Sequence, residues 1–130
     1  MRRHWSAVRP SARSCSIKDC SAGASVLIRC RHCALISGLG DAARSAGVPF
    51  CGDSEGGMMG FFLLDSLPST YSQVMKSDGA KFNQLFHGLL DRGVYIAPAL
   101  YEAGFVSAAH TDADIAATVD AARAVFQTLG

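Results

Sequence analysis

The chain has 130 residues, of which 49% are hydrophobic and 18% charged, with a formal net charge of +1. That composition suits one domain with a real core and excludes wholesale disorder. No apolar run approaches the ~20 residues that a bilayer-spanning helix needs, so neither a spanning helix nor a membrane partner is expected.

The near-neutral total hides an asymmetry. Arg2, Arg3, Arg9, Arg13, Lys18, Arg29 and Arg31 face one acid, Asp19, across the first 37 residues, whereas the remainder carries five basic and ten acidic side chains. Cys15, Cys20, Cys30, Cys33 and Trp5 fall in the basic part as well. So sharp a break marks a boundary, and the reading divides the chain into a basic Cys, Ser and Arg-rich leader (1–33), unmatched and with no expected fold, and a folded domain (34–130). Three accounts of the leader stand side by side. An Arg- and Ser-rich, acid-poor start is what a targeting segment looks like. Cys15-x4-Cys20 with Cys30-x2-Cys33 supplies four thiolates, the donor set of a tetrahedral zinc site, although the first pair is looser than usual. A leader read out of frame and fused to a genuine domain would also be rich in Arg, Ser and Cys.

From Ala34 the pattern turns helical, with Leu35, Leu39, Ala42, Ala43 and Ala46 on one face. Gly38 and Gly40 weaken that helix by about 1 kcal/mol each relative to Ala. Gly47 suits a left-handed stop, and Pro49 forbids continuation. Val48 to Cys51 then reads as a short strand and Gly52 to Gly57 as a turn. Met58 to Leu64 is a continuous apolar run that fits a strand buried on both faces, with the Met58-Met59 pair filling core. Pro68 and its neighbours break the strand. Tyr71 to Met75 forms a turn of helix, and Ser77 or Asp78 caps the next one. Phe82, Leu85, Phe86, Leu89 and Leu90 fall at i, i+3, i+4, i+7 and i+8, the stripe of a helix lying on a sheet. Gly93 ends it. Residues 94–110 fit two short strands joined by a loop that displays Glu102. In the last helix Thr111 is the N-cap, Asp112 and Asp114 favour the positive end of the dipole, and Ile115, Val119, Ala122, Phe126 and Leu129 share a face. Helices on a small, mostly antiparallel sheet make an α+β fold.

Several ordered motifs carry a resemblance. Gly56-Gly57-Met58-Met59-Gly60-Phe61-Phe62, Lys81-Phe82 through Phe86-His87, Leu90-Asp91-Arg92-Gly93-Val94-Tyr95-Ile96-Ala97-Pro98, Tyr101-Glu102-Ala103-Gly104-Phe105, and Ala109-His110 leading into Asp120-Ala121-Ala122-Arg123 together resemble the C-terminal region of the glutamate-1-semialdehyde 2,1-aminomutase family of class-III aminotransferases. The similarity covers residues 38 to 130. The resemblance implies the small C-terminal domain of a fold-type I pyridoxal-phosphate enzyme, partnered in the parent by a large cofactor domain and a second subunit. It implies a cytoplasmic protein, or a plastid one if the leader is a transit peptide, with no nucleic acid as partner. Ala99, Tyr101 and Met59 depart from residues common in the family, Ser, Phe and Phe respectively.

The family moves an amino group between adjacent carbons of glutamate-1-semialdehyde, in tetrapyrrole synthesis, with pyridoxal phosphate as the electron sink. That chemistry needs a lysine to hold the cofactor, an Asp at the pyridine nitrogen and backbone donors for the phosphate. The chain offers Lys18, Lys76 and Lys81, of which the first lies in the leader and the other two read as solvated surface. The expectation is therefore a small-domain piece with no cofactor anchor, inactive by itself. Glu102 is the residue to which the resemblance gives a role: it stands where related aminotransferases use an arginine for a substrate carboxylate, and it would repel that group. Another class-III aminotransferase would show the arginine there. Outside the enzyme class, a zinc module with a basic nucleic-acid-binding leader is the rival. His87 and His110 read as structural, and Gly56, Gly57 and Gly60 as close-packing positions, because a strand and not a helix follows them.

Overall fold

The computed structural model describes residues 23–130 apart from residue 56, with side chains from residue 31 onward. In chain order it has α1 (Gly23–Ser45), β1 (Cys51–Glu55), β2 (Met58–Phe62), α2 (Tyr71–Val74), α3 (Gly79–Leu90), β3 (Gly104–Phe105) and α4 (Asp112–Phe126). The three strands form one antiparallel sheet in the order β1-β2-β3, and α1 packs on α4 and on β1. The fold is α+β, as expected.

Helix α1 starts eleven residues before the expected Ala34 and runs through the 33/34 position without a break. Its core face holds Leu35, Leu39, Ala42 and Ala43, and Gly47 ends it at φ 70°. Gly38 does more than weaken the helix. A Cβ there would lie 2.6 Å from a Val119 methyl, so the missing side chain is what lets α1 approach α4. Gly88 serves the α3–α4 crossing in the same way, with Val125 methyl carbon 2.7 Å from the place a Cβ would take.

The sheet differs from expectation at both ends. Residues 52–55, read as a turn, are strand: Cys51 to Glu55 pair with Phe62 to Met58 in register. Gly-Asp-Ser-Glu has little intrinsic strand preference, so pairing with the apolar β2 overrides local propensity. The expected strand within Val94–Pro98 is absent, and Gly104–Phe105 is the only paired part of residues 94–110. Strand β2 is not buried on both faces. Side-chain alternation sends Met59 and Phe61 into the core with Gly52, Ser54 and Gly104, and puts Met58 and Phe62 on the outer face with Asp53, Glu55 and Phe105. Met59 is therefore core, whereas Met58 is 47% exposed.

The inner layer is a single cluster in which Phe82, Leu85 and Leu89 of α3 meet Ile115, Ala122, Val125 and Phe126 of α4. Phe126 is fully buried, and Phe50 stacks on Phe61 at 5.4 Å while meeting Phe126 edge-on at 6.1 Å. Leu90, which its spacing placed on the stripe, is 43% exposed and lies outside the core. Asp78, not Ser77, caps α3, by accepting from Lys81 N–H at 3.0 Å. Ser77 is buried, and its Oγ accepts from Leu63 N–H at 3.2 Å where the chain leaves the sheet. Thr111 caps α4 in a reciprocal box: Asp114 N–H donates to Thr111 Oγ1 at 3.2 Å and Thr111 N–H to the Asp114 carboxylate at 2.6 Å.

Candidate functional site

The site is built where β3 is short. Because β3 pairs only with Met58 and Met59, the rest of β2's edge borders open space, and residues 94–98 run past it without forming a ladder. A groove of about 420 Å³ results, walled by Gly60, Phe61, Phe82, Ile96 and Leu100, with Glu102 on its rim. On the other side of the same loop a shallower depression of about 280 Å³ lies over the outer sheet face, bounded by Asp53, Glu55, Met58, Tyr101 and Glu102. Glu102 thus stands on the ridge between two concavities, and its side chain is exposed.

Four contacts fix this ridge. Leu100 packs against the core, and the Tyr101 hydroxyl reaches Met75 Sδ at 3.4 Å. Glu102 N–H donates to Ala99 O at 3.3 Å, closing the turn. Gly104 then pairs with Met59, whose Sδ-methyl carbon lies 2.8 Å from the place a Gly104 Cβ would take, so the small residue sets how closely the loop approaches the sheet. Past it, Val106 is buried and its N–H donates to His32 Nε2 at 3.0 Å.

The other candidates take lesser places. His110 Nδ1 accepts from Ser107 N–H at 3.0 Å, in a turn before the α4 cap. His87 is exposed, with its ring edge-on to Phe86 at 5.2 Å. Lys76 is exposed, Lys81 half-buried, and neither borders the groove. The described lysines therefore do not fit a cofactor anchor at this site. Gly57 lies in the β1–β2 turn, where its N–H donates to Glu55 O at 2.8 Å, and residue 56 is outside the described residues. Of the four thiols in the zinc reading, Cys33 is exposed on α1, while the Cys15, Cys20 and Cys30 side chains lie outside the described residues. Among the described residues, no helix is long and apolar enough to cross a membrane.

Arg31 and His32 are what the sequence reading missed. Both fell on the leader side of the expected boundary, yet His32 is 2% exposed and Arg31 bonds Asp112 at 2.8 Å through Nε. The signal was spacing: His32 precedes Leu35 and Leu39 by three and seven residues, on the same helix stripe.

Comparison with known proteins gives this geometry a family. No family model matches. The crystal structure of an omega-transaminase from Sphaerobacter thermophilus superposes with a TM-score of 0.59 at 23% identity, over 80% of this chain and 23% of that one, and shows the fold. A glutamate-1-semialdehyde 2,1-aminomutase from Albidiferax ferrireducens is 75% identical over 73% of this chain and 22% of its own length. One from Verminephrobacter eiseniae is 60% identical over 92% of this chain and 28% of its length. The latter alignment necessarily enters residues 1–33, since residues beyond 33 make up only about three quarters of the 130. The fold is one found in class-III pyridoxal-phosphate aminotransferases. Within that class the chain belongs to the glutamate-1-semialdehyde 2,1-aminomutase family, of whose curated members it spans about a quarter of the length.

Proposed function

We propose that this chain is the C-terminal small domain of a glutamate-1-semialdehyde 2,1-aminomutase, and that it presents Glu102 to an active site whose cofactor and catalytic lysine belong to the larger part of the enzyme. Pyridoxal phosphate, when bound by that part, supplies the electron sink for exchanging an amino group between adjacent carbons. The observation that carries the reading is the ridge. The Glu102 carboxylate, held by the Ala99–Glu102 turn and the Met59–Gly104 pair, borders both concave surfaces beside a sheet edge left open.

Glu102 would act by charge. It disfavours a substrate carboxylate at its own position and favours the amino group, so the substrate binds in one orientation. An arginine at this position would define the rival reading, a carboxylate-binding aminotransferase, and the chain has glutamate. The parent reaction is an isomerisation and needs no external donor or acceptor.

The experiment is a chimera in which residues 31–130 replace the corresponding segment of the Albidiferax ferrireducens aminomutase. Glu102→Gln in that chimera should lower kcat/KM for the semialdehyde by about tenfold, equivalent to ~1.4 kcal/mol of differential binding, and should relax exclusion of a dicarboxylate amino acid. An unchanged kcat/KM and unchanged exclusion would reject the role.

A further inference from the structure

We infer that His32 is the positioning residue for Glu102, and that the working unit therefore includes α1 upstream of the residue-34 boundary. The inference rests on the proposed role of Glu102. Imidazole is seldom buried to the 2% level unless it is hydrogen-bonded, and His32 accepts the Val106 N–H at 3.0 Å from 74 residues away. Acceptance at Nε2 puts the ring proton on Nδ1. Val106 follows directly on β3, whose ladder is two residues long, and it stands four residues after Glu102.

The arrangement around the loop makes this bond decisive. Upstream of Glu102 the loop is held by Leu100 and by Tyr101 against an exposed methionine. Downstream it has the Gly104 and Phe105 pairs with Met59 and Met58, and Phe105 is itself 70% exposed. With so short a ladder, the Val106 N–H is where β3 would begin to fray, and an unsatisfied buried amide there would drive fraying. Arg31 secures the next stretch by donating to Asp112 and to Ala108 O at 3.4 Å, so adjacent side chains on one turn of α1 hold the strand end and the α4 cap.

The test is residue-resolved hydrogen exchange on the full 130-residue chain at low concentration, with three His32 variants. Gln can place its carbonyl oxygen where Nε2 stands, whereas Asn mimics Nδ1 and Leu offers no acceptor. His32→Gln should keep the Val106 and Phe105 amides protected; His32→Asn and His32→Leu should lower their protection tenfold or more, with Phe82 to Leu89 unchanged. If Leu unfolds the chain, the Gln and Asn pair still decides, because equal behaviour of those two overturns the inference. A second readout separates positioning from mere stability. In the chimera, His32→Asn should lower kcat/KM in the same direction as Glu102→Gln, and the double variant should be no worse than the worse single one. Additive losses would overturn the positioning role. Failure of Glu102→Gln alone would instead reject the role of Glu102 while leaving the exchange result intact.

Discussion

Glu102 reads in isolation as an ordinary solvated carboxylate, and its meaning comes from the backbone that holds it. The small residue at 104 is the nearest element of that support, because a larger side chain would have to displace Met59 from under the loop. Gly104→Val should therefore lift the ridge and disturb the Glu102 position more than Glu102→Gln disturbs folding, which backbone chemical shifts of residues 99–105 in the two variants would compare. The thiols give a second residue-scale expectation. Burial raises the Cys51 thiol above its ordinary value, with Phe62 O 3.8 Å from Sγ, while Cys33 is exposed. Cys33 should accordingly alkylate several-fold faster than Cys51 at pH 8, as peptide mass spectrometry would quantify. The Thr111 N–H and side-chain bonds hold the Asp114 carboxyl below the ordinary 3.8. A carboxylate with a depressed folded value stabilises the fold above its unfolded value and loses that contribution as the pH falls through the folded one. Wild type should thus lose stability relative to Asp114→Asn on acidification below pH 3.8, as paired urea titrations would detect.

Helices α3 and α4 are legible in the sequence because caps and apolar spacing agree: Asp78 or Ser77 before one, Thr111 with Asp114 at the other, and a clean stripe between. The strands are less legible. Strand β1 is Cys-Gly-Asp-Ser-Glu, which no local preference marks, and it exists because β2 offers it an edge. The apolar run of β2 misleads in the opposite sense, since hydrophobicity without alternation suggests double burial and the outer face is open. Residues 94–98 look like a strand by composition and run unpaired, which leaves the groove. The start of α1 was hidden by its charge, because Arg31 reads as leader until Asp112 is placed beside it. Helix crossings are where substitutions should tell most. Gly88→Leu forces a side chain onto the Val125 methyls and should cost about 1–3 kcal/mol or more by overpacking, while Phe126→Ala empties the centre of the cluster at about 3–5 kcal/mol, both measurable by denaturant unfolding.

At the scale of the whole molecule, the helices cover one face of the sheet, and the other presents Met58 and Phe105 beside Tyr101, which is 54% exposed. A surface of that kind is an association surface. We expect the 130-residue chain to self-associate weakly at micromolar concentration, and light scattering from a clean monomer would speak against it. The same open face is where the larger part of an aminomutase would lie in the proposed enzyme. The most direct measurement assays 5-aminolevulinate formation from glutamate-1-semialdehyde, with pyridoxal phosphate added, by the 130-residue chain and by the residue 31–130 chimera in parallel. Turnover by the chimera with none by the chain is the expected result; turnover by the chain itself, or a folded chimera that turns nothing over, would contradict the account.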